Sequence, residues 1–434
     1  MAIKNKNFIR RSKYVVPEKL SVAILSAAVG KSPQEIAYSF VFDEAYRLAQ
    51  RGLNIHVIRG KFENDSKAYG IRFHGLKRKI YLNDLLLFFK NLKCYPPLAL
   101  LRRPEIIGWE NLYAREVSEV VKEFNIDLIH AHFAYPEGFV GLLAKISTKR
   151  PLIVTCHGYD INMVPEIGYG IRLNRKYDSL VRSVLESANA IICVSNRMKE
   201  EVKKIGIKDN RIFVIFNAVD LERFRPPEKH ELDEINLIRK YLKVKEKDLL
   251  ILNARNLKPV YGIEYLILAA KIVTSHVRNV KFIITGEGEL KEKLIKMIKD
   301  LQLEGNVRLI GTIPRSLMPK LMQASSLYVN TSLADGMAPS MLEACATGLP
   351  IVSFDVGGAN DVIDNGVNGF LVPPKDYRTL AEKIIYLIEN IDIMKEMGVR
   401  SRKKAEEKFN INIRISKIME VYHSVIERNK DHQH

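Results

Sequence analysis

Two acids eight residues apart, Asp335 and Glu343, lie in the stretch 330–358, NTSLADGMAPSMLEACATGLPIVSFDVGG. Between them Ala338-Pro339-Ser340 reads as a helix start, because proline suits the first helical position, and Gly348 reads as its stop. This puts Glu343 near the first turn, where helical side chains lean back toward the N-terminus. A carboxylate so placed can accept hydrogen bonds from two vicinal hydroxyls. Asp335 precedes the helix, in a loop with Gly336. Compensation of the helix dipole at Glu343 and a turn role for Asp335 are the purely structural readings. A buried helix would account for the apolar residues but not for the acids, nor for Gly357-Gly358 after the next strand.

Cations and glycines fall in comparable places. Arg255 and Lys258 follow the apolar run 249–253, and Gly286-Glu287-Gly288 follows 280–285. In a parallel sheet these loops share one edge with the helix start Met337-Ala338-Pro339-Ser340 and with Gly357-Gly358. A guanidinium and an ammonium there suit a diphosphate. Glycines let phosphate approach backbone amides, and a helix N-terminus adds its positive end. In the first half, His157 ends the run 152–156 within His157-Gly158-Tyr159-Asp160, and Gly30 ends 21–28. His130 and His132 read as structural or as lining a cleft.

The elements that must carry these residues alternate in type. Strands are expected at 21–28, 54–59, 126–132, 152–156, 190–194 and 212–215, with helices at 34–51, 137–146, 172–187 and 197–204. Pro226-Pro227 and the charged run to Lys247 mark a linker. A second series has strands at 249–253, 280–285, 307–310, 327–330 and 351–354, and is helical beyond 370–374. Two doubly wound parallel sheets follow, an α/β architecture of two domains, 1–225 and 248–410, joined by 226–247. A length of 434 residues is long for one core.

Charge is uneven. The net +18 divides into 38 basic against 24 acidic residues in 1–230, and 30 against 26 in the rest. A basic first half suits an anionic partner, or is simply a lysine-rich surface. No zinc-ligand spacing or aromatic–basic module accompanies it, so no specific nucleic-acid partner is expected. Residues 61–109 interleave Lys77-Arg78-Lys79, Lys90, Lys93 and Arg102-Arg103 with the apolar run 85–89, a composition that suits an anionic membrane surface or a solvated helix. No run reaches a membrane span. The basic segment 4–19 before 20–29 has the outline of a leader, but its removal would take the expected first strand with it. Cys94, Cys156, Cys193 and Cys345 lack metal spacing and read as buried thiols of a reducing, cytoplasmic compartment.

Asp335-GMAPSML-Glu343-ACATGLPIVSFDVGG resembles the signature of the retaining glycosyltransferase family 4: an acid, seven residues, Glu, an alanine-rich helix, G-x-P, a strand and Gly-Gly. FNAVDLERFRP, HGYDI, TGEGELKEKL, NVRLIGTIP and NGFLVPPKD resemble family segments in the same order. The resemblance implies a GT-B fold, with two Rossmann-like domains facing a cleft. The first would bind the acceptor and the second a nucleotide-diphosphate sugar, UDP- or GDP-linked. The last helix, about 411–434, would cross back to the first domain. By matching position Glu343 would hold the ribose hydroxyls, Arg255 the diphosphate, Asp335 the transferred sugar, and Gly357 and Gly358 sugar or phosphate. His157 would meet the sugar, with Gly30 and Asp160 on the acceptor side. No metal and no further cofactor are implied, consistent with the absence of Asp-x-Asp. The acceptor would be a sugar, a lipid-linked sugar or a polysaccharide, at the inner face of the membrane.

Three positions depart from the family pattern. Asp335 stands for the usual Glu, and Tyr261 stands where a lysine is usual, so that either Lys258 replaces its charge or the charge is missing. Gly30-Lys31-Ser32-Pro33 replaces a glycine pair. Asp361 keeps the usual acid after Gly357-Gly358. Because two of these positions weaken the donor site, a nucleotide-sugar-binding protein without transferase activity is the alternative.

Overall fold

The computed structural model describes residues 20–77, except 33, 36 and 37, and residues 104–431, with the side chains of 104–107 left aside. The basic and apolar mixture expected at the membrane lies mostly outside these residues, as does Cys94.

Two sheets form. The first has eight strands in the spatial order Ser66–Ala68, Ile71–Leu76, Asn54–Phe62, Ser21–Leu25, Leu128–His132, Leu152–Cys156, Ala190–Cys193 and Ile212–Val214. All pairs are parallel except the hairpin at the first edge. Ser21–Leu25 pairs Val22 with Ile55 on one side and with Leu128 on the other. All five of its residues are buried, as expected of a strand covered on both faces. The second sheet has six parallel strands in the order Val307–Leu309, Val280–Thr285, Leu249–Ala254, Leu327–Asn330, Ile351–Phe354 and Gly369–Val372.

The edge hairpin was not expected. It turns through Tyr69-Gly70, both at positive φ (54° and 77°), which is the two-residue turn that matches strand twist. Tyrosine in the first turn position and the exposed Ser66 and Lys67 hide the signal. The expected linker also holds a helix, Leu232–Tyr241. Arg239 on that helix donates to the Ala324 carbonyl at 2.9 Å, which seats it against the second sheet's unit.

The last helix, Ile411–Asp431, packs on the first sheet. Ile411, Ile415, Ile418, Val421, Tyr422 and Val425 recur at three- and four-residue spacing and join Val22, Ile24, Val41, Phe42 and Leu128 in one core. Its start is fixed by a backbone bridge: Val219 donates to Phe409 at 2.8 Å and Ile411 donates to Val219 at 3.1 Å. Among the described residues no helix is long and apolar enough to cross a membrane. Cys156, Cys193 and Cys345 are buried and free.

Candidate active site

Open α/β sheets take ligands at the carboxyl ends of their strands, where strand order reverses. In the second sheet that point lies between Leu249–Ala254 and Leu327–Asn330. The residues leaving these strands are Arg255 and the run 331–338, and there Arg255 and Asp335 form an ion pair. Tyr261 lies under the guanidinium, with 4.2 Å between the arginine carbon and the ring centroid. Arg255 Nε has no hydrogen-bond partner among the described residues, although its side chain is only 10% exposed. A buried donor without an acceptor is costly, so this edge is ready for an anionic oxygen.

The helix Pro339–Thr347 starts beside this pair. Pro339 occupies its first position, and Gly348 ends it at φ 83°. The Tyr328 hydroxyl and Ser340 Oγ meet at 2.7 Å. Met337 and Ala338, before the helix, are buried. Gly357 and Gly358 pass behind them, the Gly358 amide donating to the Gly336 carbonyl at 2.8 Å. The loop through Gly286 and Gly288 runs against the backbone of Arg255 and Leu257, so close that a Cβ at Gly286 would sit 2.3 Å from the Arg255 carbonyl.

One turn into the helix, Glu343 lines a cavity of about 240 Å³ with Asp43, Phe40, Arg223 and Arg315. Burial pushes its carboxyl up to about 7; Arg315 and Arg223 pull against that, and Asp43 adds to it. Arg315 is ion-paired with Asp43 of the first domain, and Arg223 donates to the Arg315 carbonyl.

From the first sheet, the strand Leu152–Cys156 delivers His157 to the same cleft. Gly158 follows at φ 125°, and a Cβ there would come within 2.7 Å of the Gly336 amide. Only glycine permits that approach. Asn162 donates to the Asp335 carbonyl at 2.9 Å, and Asn217 donates to the Met337 carbonyl at 3.0 Å. The His157 ring packs between Phe40 and Phe133, at 4.8 and 4.6 Å between centroids. Burial, reinforced by His132, holds its imidazole well below the usual range, so it is neutral at pH 7.

Two family models match this chain. Glycosyltransferase Family 4 covers residues 39–223 and Glycosyl transferases group 1 covers residues 234–404, so together they take in most of both domains. The chain belongs to this glycosyltransferase family. Among similar curated proteins is N-acetyl-alpha-D-glucosaminyl L-malate synthase of Bacillus anthracis, 25% identical over 89% of this chain and 93% of its own length. Another is the UDP-Gal:alpha-D-GlcNAc-diphosphoundecaprenol alpha-1,3-galactosyltransferase of Escherichia coli, 28% identical over 70% of this chain and 77% of that protein. Among solved structures, sucrose-phosphate synthase of Thermosynechococcus elongatus superposes with a TM-score of 0.76 at 17% identity, covering 94% of this chain and all of that one. HepE of Anabaena in complex with UDP-glucose gives 0.71 at 21% identity, over 93% and 100%. These likenesses establish the GT-B fold. The named relatives are a synthase and a transferase, and the reading as a binding protein without activity is set aside.

Within this glycosyltransferase several expected site residues stand apart from the rest. Asp160 is fully buried, and its oxygens accept the amides of Ala134 at 2.8 Å and of His157 and Gly158 at 3.0 Å. It braces the loop that carries His157 and presents no free oxygen toward an acceptor. Lys258 is exposed and has no ion-pair partner among the described residues, so Tyr261 rather than Lys258 is the side chain in contact with Arg255. Gly30 packs against Glu35 of its own loop, and Lys31 pairs with Glu63 at 3.0 Å; Pro33 lies outside the described residues. Asp361 accepts from the amide and side chain of Asn196, at 2.9 and 2.6 Å, and so joins the two domains.

Arg223, Arg315 and Asp43 were not expected. They come from three separate elements and meet only because the domains close on each other. A local signal existed for Arg223 alone, inside the family-like segment FNAVDLERFRP.

Proposed function

We propose that this glycosyltransferase moves a sugar from a nucleoside-diphosphate sugar to an acceptor hydroxyl with retention of anomeric configuration, without a metal ion, in cell-envelope glycolipid or polysaccharide synthesis. The observation that carries the reading is the meeting of Arg255, Asp335 and the start of the Pro339–Thr347 helix at the switch point, under the loop that holds His157.

Charge develops on the diphosphate as the bond between the sugar's C1 and the phosphate oxygen breaks. Arg255 and the helix N-terminus face that charge as fixed positive groups, which is where electrostatic stabilisation acts most strongly. The bonding electrons leave with the diphosphate. The acceptor oxygen bonds C1 on the same face, and its proton passes to the departing phosphate oxygen. Asp335 is ion-paired to Arg255, which disfavours it as a nucleophile and suits front-face attack. Glu343 takes the ribose hydroxyls, with Arg223 and Arg315 in the same cavity. His157, neutral, holds a sugar hydroxyl.

A UDP-linked donor is the first to test, because the Escherichia coli relative's name specifies UDP-Gal. That relative also acts on a lipid-linked acceptor by name, which supports an acceptor of that kind presented at an anionic membrane surface. The experiment is transfer to lipid-linked and free sugar acceptors with each UDP- and GDP-sugar, in the presence of EDTA. NMR of the new linkage reads its configuration. Retained configuration with EDTA present supports the proposal, whereas inversion or complete loss in EDTA overturns it.

A further inference from the structure

Behind His157 lies a row of buried polar groups that ends on the last helix. His157 Nε2 is 3.0 Å from His132 Nδ1, and the ring planes differ by 19°. His132 Nε2 faces Glu44 Oε1 at 3.3 Å, an ion-pair approach rather than an aligned hydrogen bond, and neither atom has a hydrogen-bond partner among the described residues. Glu44 Oε2 receives Nε and Nη2 of Arg414 at 3.0 and 2.7 Å. Arg414 Nη1 is spent on the carbonyls of Ile215 and Phe216, at 2.9 and 2.8 Å. His132 is wholly buried, and Glu44 and Arg414 are 1% and 5% exposed.

The protons in this row have little freedom. Arginine stays charged, and its contact keeps Glu44 ionised, so Glu44 can only accept. His132 must then donate from Nε2. The Glu44–Arg414 pair is already neutral, so a second proton on His132 would be an uncompensated buried charge. Neutral His132 therefore presents a lone pair at Nδ1, and His157 must donate to it from Nε2. That leaves the lone pair of His157 on Nδ1, which has no hydrogen bond among the described residues.

We infer that Arg414, Glu44 and His132 are positioning residues that fix His157 as its Nε2–H tautomer, so that Nδ1 meets the substrate as an acceptor from a sugar hydroxyl. The inference rests on the proposed placement of His157 against the sugar. It gives the last helix a part in the reaction, because Arg414 reaches the row from Ile411–Asp431.

Glu44, His130 and His132 could also be taken for metal ligands, since their donor atoms lie within 4.8 Å of one another. Both His130 nitrogens, however, have hydroxyl partners at 2.7 Å, Tyr422 and Thr155. Arg414 already supplies the cation that Glu44 needs.

The test is imidazole 15N NMR of the whole protein, free of substrate, with the His157 signal identified by its loss in His157→Gln. The row requires a protonated Nε2 and an unprotonated Nδ1 throughout pH 6–8. In Glu44→Gln the amide can donate to His132 Nε2 and reverse the row, moving the His157 proton to Nδ1. Transfer should then lose about 10²-fold in kcat with the donor KM little changed. A wild-type His157 protonated on Nδ1 or on both nitrogens overturns the inference, as does an unmoved tautomer in folded Glu44→Gln. Shifts of His130 and His132 with one equivalent of zinc would overturn it in favour of a metal site. If Glu44→Gln does not fold, the wild-type spectrum decides alone. An Nε2–H His157 in a protein that turns over no donor supports the row and counts against the transfer reading.

Discussion

The Arg255 guanidinium lies over the Tyr261 ring, 4.2 Å from its centroid, while its outer edge is ion-paired to Asp335. Both partners stand where the resembling family carries another residue, a lysine and a glutamate. Together they leave one buried cation, aromatic below and carboxylate beside, where the family pattern has two cations. The aromatic face orients the planar guanidinium without satisfying its N–H groups.

The ring's contribution is measurable. A cation–π contact of this kind is worth about 0.5–2 kcal/mol, equivalent to about 2- to 30-fold in affinity. Titration calorimetry with UDP should show Tyr261→Phe near wild type and Tyr261→Leu weaker by an amount in that range. Equal binding by the leucine variant would mean that the ring does not position Arg255.

With Glu343 on the ribose hydroxyls, as proposed, nucleotide binding should depend on pH. The Glu343 carboxyl is raised from 4.5 to about 7 in the folded protein, so the uncharged form is favoured there. That stability is fully present below 4.5 and is lost as pH rises through about 7. Ribose hydroxyls prefer the ionised carboxylate, so binding should release a proton. UDP affinity should rise from pH 6 to 8, by at most about tenfold per unit below the titration and flattening above it. Glu343→Gln should bind more weakly with no such slope. A wild type without the slope contradicts the ribose assignment.

Much of this site could be read from the chain because its residues sit directly after strands or at a helix start. Arg255, Asp335, Pro339 and His157 each follow a short apolar run or a helix signal, and parallel connectivity brings them to strand ends. What could not be read depends on contact between domains. Asp43 and Glu44 lie mid-helix in SFVFDEAYRLAQ and look like an ordinary solvated turn. Glu44 is buried against His130 and His132 of the sheet and against Arg414, which returns to meet it 370 residues later. Asp160 had the position of a ligand group, but strand-end acids also brace their own loops, and only the amide contacts distinguish the two. The Leu232–Tyr241 helix was hidden by its charges, several of which face water while one, Arg239, holds it down.

The Glu44–Arg414 pair should dominate the attachment of the last helix. Removing one member of a buried pair leaves an uncompensated charge, at about 3–5 kcal/mol. Arg414→Met should therefore lower stability in urea unfolding by about that amount, and Glu44→Gln combined with Arg414→Met should recover most of it. A single variant that loses less than about 1 kcal/mol would show that the pair is not a fastening.

The central claim is that sugar leaves its nucleotide at the meeting point of Arg255, Asp335 and the Pro339–Thr347 helix. It is tested most directly by release of nucleoside diphosphate from a panel of UDP- and GDP-sugars with acceptor, comparing wild type with Arg255→Ala. Wild type should turn over at least one donor, and the variant should lose about 10²- to 10³-fold in kcat. Turnover at the wild-type rate by Arg255→Ala would contradict that claim.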